Sequence, residues 1–207
     1  MADFSLETAV TREHQFTRIA GLDEAGRGAL AGPVVAAAVI LDHSPEIATC
    51  LADVNDSKQL TPRKREKLFT LITETALCYG IGRAPADVVD AIGIIPATRQ
   101  AMAAALACLP AAPQFLLVDG RLRLTQVNLP QQAIIRGDSK SLSIAAASIL
   151  AKVARDHELI DLDKSYPQYG FARHKGYGTA HHLQALQQWG PCPIHRRTFA
   201  PIRKPLL

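Results

Sequence analysis

The sequence predicts an α/β domain closed by a helical C-terminal extension, and three observations carry that expectation. Short apolar runs rich in Val, Ala, Leu and Ile alternate with longer stretches whose apolar residues recur at helical spacing. Three of the apolar runs end on acids at the entry to a loop: Leu22-Asp23-Glu24, Val118-Asp119-Gly120 and Ile135-Arg136-Gly137-Asp138. With 207 residues, 48% of them hydrophobic, the chain has enough material for one well-filled core.

The elements follow in order. Arg18–Asp23 reads as a strand, and Pro33–Leu41 as a second one, apolar on both faces. The polar stretch DVNDSKQL, Asp53 to Leu60, is a loop. Thr61-Pro62 then supplies an N-cap and a proline at the first helical position. The helix PRKREKLFTLITETA sets Leu68, Leu71 and Ile72 on one face and its charges on the other. Leu77–Arg83 is a strand, followed by helices at Ala86–Ile92 and, alanine-rich, at Pro96–Cys108. The continuously apolar Phe115–Asp119 has the pattern of a strand covered on both faces, and Gln132–Arg136 is another strand. A long helix from Ser139 to Leu162 places Leu142, Ala146, Ile149, Val153 and Ile160 at helical spacing. A last helix, Ala180–Trp189, is capped by Thr179 and closed by Gly190-Pro191. No repeat or low-complexity linker interrupts the chain. Residues 1–163 are therefore read as the body and 164–207 as an extension of the same domain.

Composition narrows the class. No apolar run reaches the ~18 residues of a membrane span, and acids stand near the N-terminus where a signal peptide would carry basic and then apolar residues; a cytoplasmic protein is expected. Cys50, Cys78, Cys108 and Cys192 are widely separated, which fits reduced, mostly buried thiols and neither a zinc site nor a disulfide framework. The net charge of +4 hides an asymmetry. The last acid is Asp163, whereas Lys164, Arg173, Lys175, Arg196, Arg197, Arg203 and Lys204 follow it, together with His174, His181, His182 and His195. Such a tail suits a phosphate backbone, and equally a solvated C-terminus. No coiled coil or unexplained apolar stretch appears, so a monomer is expected.

The acids carry the chemistry. In open α/β sheets ligands bind in the crevice beyond the strand ends. Side chains alternate along a strand, so Asp23 and Glu24 can share one crevice only if the strand breaks, and Ala25-Gly26 offers the break. Carboxylates gathered there repel by about 4 kcal/mol per pair at ~4 Å and an effective dielectric near 20. A cation relieves this, and oxygen-only donors suit hard Mg²⁺ or Mn²⁺. Two such ions can activate a water and stabilise the leaving oxygen in phosphodiester hydrolysis. Asp119 before Gly120 also reads as a turn residue, and Asp138 as an N-cap. Asp156 reads as a helix-surface ion pair outside the site. Gly26 to Gly32 mimics a dinucleotide fingerprint, but Val34 onward suits a strand better than the helix that fingerprint needs.

The blocks DEAGRGALAGPVV, NDSKQLTPRKRE, LLVDG, GDSKSLSIAAASILAKVARD, YPQYGFARHKGYGT and IHRRTFAPI resemble, in order and spacing, the signature blocks of bacterial ribonuclease HII, from about Ile19 to Ile202. Ala29 and Thr61 depart from the commoner proline and serine without touching a charged group. The resemblance implies a ribonuclease-H-like mixed sheet flanked by helices, with the C-terminal extension completing a substrate groove. It implies that Asp23, Glu24, Asp119 and Asp138 are the catalytic carboxylates and hold two Mg²⁺ or Mn²⁺ ions. Gly26, Arg27 and Gly28 fall on a loop whose backbone meets the ribose 2′-hydroxyl, the group that separates RNA from DNA. Tyr177 falls on a stacking tyrosine at the ribo–deoxyribo junction, and Ser57, Lys58, Ser139 and Lys140 resemble phosphate contacts. The implied activity is cleavage of the RNA strand of RNA/DNA hybrids and incision 5′ of single ribonucleotides in duplex DNA. The products carry 3′-hydroxyl and 5′-phosphate ends, in the service of removing ribonucleotides from DNA. A DNA-cutting nuclease of the same fold, a non-catalytic hybrid-binding module and a dinucleotide oxidoreductase are the competing readings.

Overall fold

A computed structural model of the chain describes residues 2–203. Its centre is a five-stranded mixed sheet in the order β3-β2-β1-β4-β5. The strands are β1 Ile19–Ala25, β2 Val34–Ile40, β3 Cys78–Ala84, β4 Phe115–Asp119 and β5 Gln131–Ile134. β1, β2 and β3 form an antiparallel meander, and β4 and β5 extend it in parallel. Five of the helices are α1 Ser5–His14, α2 Pro45–Cys50, α3 Pro62–Thr75, α4 Ala86–Ile92 and α5 Ile94–Ala107. The others are α6 Leu142–Ser165, α7 Phe171–His174 and α8 Ala180–Trp189.

The strand alternation sorts the core into two layers. Ala20, Leu22, Ala36 and Ala38 face α5 through Ala101, Met102 and Ala105. Ala37, Val39 and Leu41 face α6 and α3 through Ala146, Ile149, Leu68 and Ile72. Small residues let the helices approach closely: a Cβ on Gly82 would stand 2.1 Å from the Ala101 carbonyl oxygen. β4 is covered on both faces, as its apolar run predicts.

The caps expected of Thr61 and Thr179 are present, accepting from the Lys64 and His182 N–H groups at 3.3 Å each. Other expectations need correction. α6 begins at Leu142, and its cap is Ser141, which accepts from Ile144 N–H; Asp138 therefore does not cap it. Ile160 is 40% exposed, off the core face of that helix. β5 stops at Ile134 because Arg136 turns left-handed, with φ 56°. α1, α2 and α7 have no counterpart in the sequence reading, and the loop after Asp53 contains a 3-10 turn, Ser57–Gln59. Only Cys78 and Cys192 are buried; Cys50 and Cys108 are exposed, and all four are free. Among the described residues no helix is long and apolar enough to cross a membrane. Residues 204–207, and with them Lys204 of the basic tail, lie outside the described residues.

Candidate active site

β1 and β4 run parallel with Leu22 opposite Val118, so the next residues, Asp23 and Asp119, leave adjacent strands on the same face. Asp138 joins them because the Gly137 N–H donates to Asp119 Oδ1 at 2.7 Å, drawing the one-turn helix Gly137–Ser139 against the end of β4. Glu24 arrives differently from the expectation. The β1–β2 ladder runs on through Ala25–Val35, and its hydrogen bonds keep Glu24 in extended backbone. The break comes at Gly26, whose φ of 90° suits glycine. Arg27 then reaches back to hold Glu24, Nη1 to Oε1 at 3.0 Å.

The four acids behave as one charged group. Burial, then Glu24 and Asp119, push Asp23 well above the usual carboxylate range; Ser148 and the Glu24 N–H oppose the shift. Burial raises Glu24 despite Arg27, and burial, Asp119 and Asp56 raise Asp138. Partial burial pulls the Lys58 ammonium down, but Asp23, Asp56, Asp138 and Asp119 outweigh it and raise its pKa. Asp56, which the sequence reading passed over, thus belongs to the same cluster; it also caps the turn bearing Lys58. Among the described residues no three acid, His or Cys side chains form a ready-made metal cage. Asp23 Oδ1 accepts the Glu24 N–H, Asp119 Oδ1 the Gly137 N–H and Glu24 Oε1 the Arg27 guanidinium, so each of these carboxylates has one oxygen engaged within the protein. The donor chemistry, oxygen only and short of positive charge, fits a divalent cation.

Glu24, Gly26, Arg27, Gly28, Ser57, Lys58 and Tyr177 line one cleft of about 600 Å³. Arg65, Ser148 and Lys152 complete its walls and were not singled out in the sequence. Ser57 is 3% exposed and its hydroxyl bonds Ser148 Oγ at 2.9 Å. Ser139 and Lys140 do not line the cleft; the Ser139 hydroxyl donates to the Arg136 carbonyl. Asp156 pairs with Lys152 at 2.6 Å, as expected of a helix ion pair. No helix follows the glycines, because Pro33 leads straight into β2, so the dinucleotide reading falls.

Two buried arginines fix the glycine loop, and among the described residues neither has a carboxylate partner. Arg155 donates to the carbonyls of Pro33, Ala31 and Lys175, and Arg196 to those of Gly32 and Arg27. Arg155 also lies 5.4 Å below the Tyr177 ring. Charge patterning could not reveal them, since both read as surface cations. Arg196 is therefore structural and leaves the count of groups free for a phosphate backbone. His182 and His195, both buried, leave it too. The Cys192 N–H donates to His195 Nδ1 at 3.0 Å, so His195 donates from Nε2 to His182 Nε2 at 2.9 Å, and His182 from Nδ1 to the Tyr177 carbonyl.

Burial holds His182 and His195 down to about 4, helped by His174 and His181 beside the first and by His182 beside the second. An unfolded histidine titrates near 6.5, so the stability that this neutral pair contributes is complete above pH ~6.5 and is lost as pH falls toward 4. A melting temperature that stays flat from pH 7.5 to 4.5 would contradict this.

Known proteins resemble the chain over nearly its whole length. The family model described as Ribonuclease HII matches residues 20–202. The chain belongs to the ribonuclease HII family. Ribonuclease HII of Chloroflexus aurantiacus is 53% identical over 211 residues, covering all of this chain and 97% of the relative. That of Geobacter sulfurreducens is 55% identical, covering 92% of this chain and 86% of its own length. Ribonuclease H2 from Pyrococcus horikoshii superposes with a TM-score of 0.75 at 30% identity, covering 90% of this chain and 96% of that one. RNase HII from Archaeoglobus fulgidus, solved in a PCNA complex, gives 0.74 at 26% identity, covering 88% and 95%. Membership of the ribonuclease HII family makes the chain a ribonuclease H, an endonuclease acting on RNA/DNA hybrids, on a ribonuclease-H-like fold.

Proposed function

We propose that the chain cuts on the 5′ side of a ribonucleotide, both in RNA/DNA hybrids and at single ribonucleotides embedded in duplex DNA, leaving 3′-hydroxyl and 5′-phosphate ends. Its role on this reading is the removal of ribonucleotides from DNA. Asp23, Glu24, Asp119 and Asp138 hold two divalent ions, Mg²⁺ or Mn²⁺. When bound, these would lower the charge on the scissile phosphate and activate a water. Asp23 and Asp119 supply the parallel pair of oxygens. Arg27 holds Glu24 at the cleft, and Lys58 offsets the acids on the side where a phosphate enters.

One observation carries the ribonucleotide specificity. Gly26 is required by the fold, since a Cβ there would lie 1.9 Å from Arg155 Nε. Gly28 is not: a Cβ there meets nothing within 4 Å, and it lines the cleft beside Glu24. A glycine that the protein's own packing does not need leaves room for a ligand, and a bare backbone beside the acids can approach a 2′-hydroxyl. Tyr177, 36% exposed on the same cleft, offers a ring to the adjacent sugar, with Gly178 beside it exposed.

Gly28→Ala should leave the melting temperature within about 1 °C of the parent while lowering incision at a single embedded ribonucleotide roughly tenfold or more. The assay compares a duplex containing one ribonucleotide with an all-DNA duplex and maps the cut. Equal cleavage of the two duplexes would favour a general DNA nuclease and end this reading.

A further inference from the structure

The segment that the ribonuclease HII model matches begins at residue 20, after α1. We propose that Glu7, on α1, is a positioning residue that fixes the turn carrying Asp138. This rests on the reading of Asp138 as a working carboxylate.

Glu7 is fully buried, and among the described residues no cation pairs with it. Oε1 accepts the Ser141 hydroxyl at 2.6 Å and the Ser143 N–H at 3.1 Å; Oε2 is buried with no partner among the described residues. A carboxylate in such a place is costly unless its surroundings are arranged for it. Here they are: it faces the positive N-terminal end of α6, a helix of 24 residues. By accepting the Ser141 O–H it turns that hydroxyl's lone pair toward the Ile144 N–H, 3.1 Å away. Asp3 completes the seal, accepting the Leu142 N–H at 2.9 Å through its backbone carbonyl. The first three N–H groups of α6 are thus satisfied by Asp3, Glu7 and the serine that Glu7 orients.

The same serine closes the Asp138 turn. The Ser141 and Lys140 N–H groups both donate to the Gly137 carbonyl, at 2.8 and 2.9 Å, and the Gly137 N–H is gripped by Asp119. The turn is therefore clamped in front by a site acid and behind by Glu7 acting through Ser141. Loosening the rear clamp lets Asp138 drift from Asp119, and displacements near 1 Å can lower a rate about a hundredfold.

The test uses Glu7→Ala, Glu7→Gln and Ser141→Ala in the full chain, with Asp138→Asn as control. Glu7→Ala should lower kcat at least tenfold with KM for a hybrid substrate within twofold. It should also raise the Mn²⁺ concentration for half-maximal activity and shrink the Mn²⁺-induced rise in melting temperature. Glu7→Gln keeps an acceptor in place and should recover most of the loss; Ser141→Ala should follow Glu7→Ala in direction. A merely structural role predicts a lower melting temperature with kcat and Mn²⁺ response unchanged, and that result overturns the proposal. Should Glu7→Ala not fold, Ser141→Ala decides by the same readouts. If Asp138→Asn retains activity, the reading of Asp138 fails. If Asp138→Asn is inactive while Glu7→Ala, or Ser141→Ala in its place, behaves as wild type, only the Glu7 proposal fails.

Discussion

Replacing Asp23 with asparagine should abolish cleavage, by roughly a thousandfold or more in kcat, and at the same time raise the melting temperature in metal-free buffer at neutral pH. Both effects have one cause. Asp23 is 4% exposed and lies against Glu24 and Asp119, so its charge opposes folding while serving the site. Asparagine keeps an acceptor for the Glu24 N–H and removes the repulsion. A stabilising loss of function is the signature of a site held under electrostatic strain. Adding Mn²⁺ should stabilise the wild type more than the variant, because only the wild type has the full charge to neutralise. Melting curves with and without Mn²⁺, alongside hybrid cleavage, check all three statements. An Asp23→Asn enzyme that still cuts would remove the catalytic role from Asp23. One that melts lower than the parent would show the acids to be compensated already.

Gly21→Ala should be among the most destabilising single-methyl changes in the molecule. A Cβ at that position would stand 2.2 Å from the Ser143 carbonyl carbon and 2.4 Å from the Ile144 nitrogen. These are backbone atoms at the start of α6, so no rotamer change can make room and the helix itself must move. Overpacking of this kind costs ~3 kcal/mol or more, about 6–12 °C in melting temperature for a chain of this size. The displaced end of α6 follows directly on the Asp138 turn, so cleavage should fall as well. Thermal melts and activity on a hybrid decide it; an unchanged melting temperature would mean that the α6–β1 contact yields more easily than its geometry implies. The contrast with Gly28→Ala separates two glycines only seven positions apart, one required by packing and the other by a ligand.

Asp23 and Asp119 stood out in the sequence because each comes at the end of an apolar run, where a charge has no packing role; Asp138 lies four residues beyond β5, in a one-turn helix. Asp119 and Asp23 needed only the parallel register to bring them together. Glu24 was found for a partly mistaken reason: the strand does not fold back after it, and a side chain three residues on, Arg27, directs it. α1 stayed hidden because its principal anchor is a glutamate; burial of a polar group is decided by partners far along the chain, which periodicity cannot register. Arg196 and the three buried histidines were misread, and Arg155 passed over, for the same reason. Their partners are carbonyls and each other, brought close by the tertiary structure alone. Asp56 sat directly before Ser57 and could have been found by counting acids across the whole block rather than at strand ends.

The paired guanidiniums beneath the glycine loop also bear on how this protein can be taken apart. Arg155 belongs to α6 but grips Lys175 in the extension; Arg196 belongs to the extension but grips Gly32 and Arg27 in the body. The tie runs in both directions. A chain ended after α6 would cost Arg155 its Lys175 carbonyl and expose the Gly32 and Arg27 carbonyls left by Arg196, so the extension is no detachable module. Grafting them onto a sibling scaffold would require an arginine at the Arg155 position of the host, and swapping either for lysine would break the fork that spans two carbonyls at once.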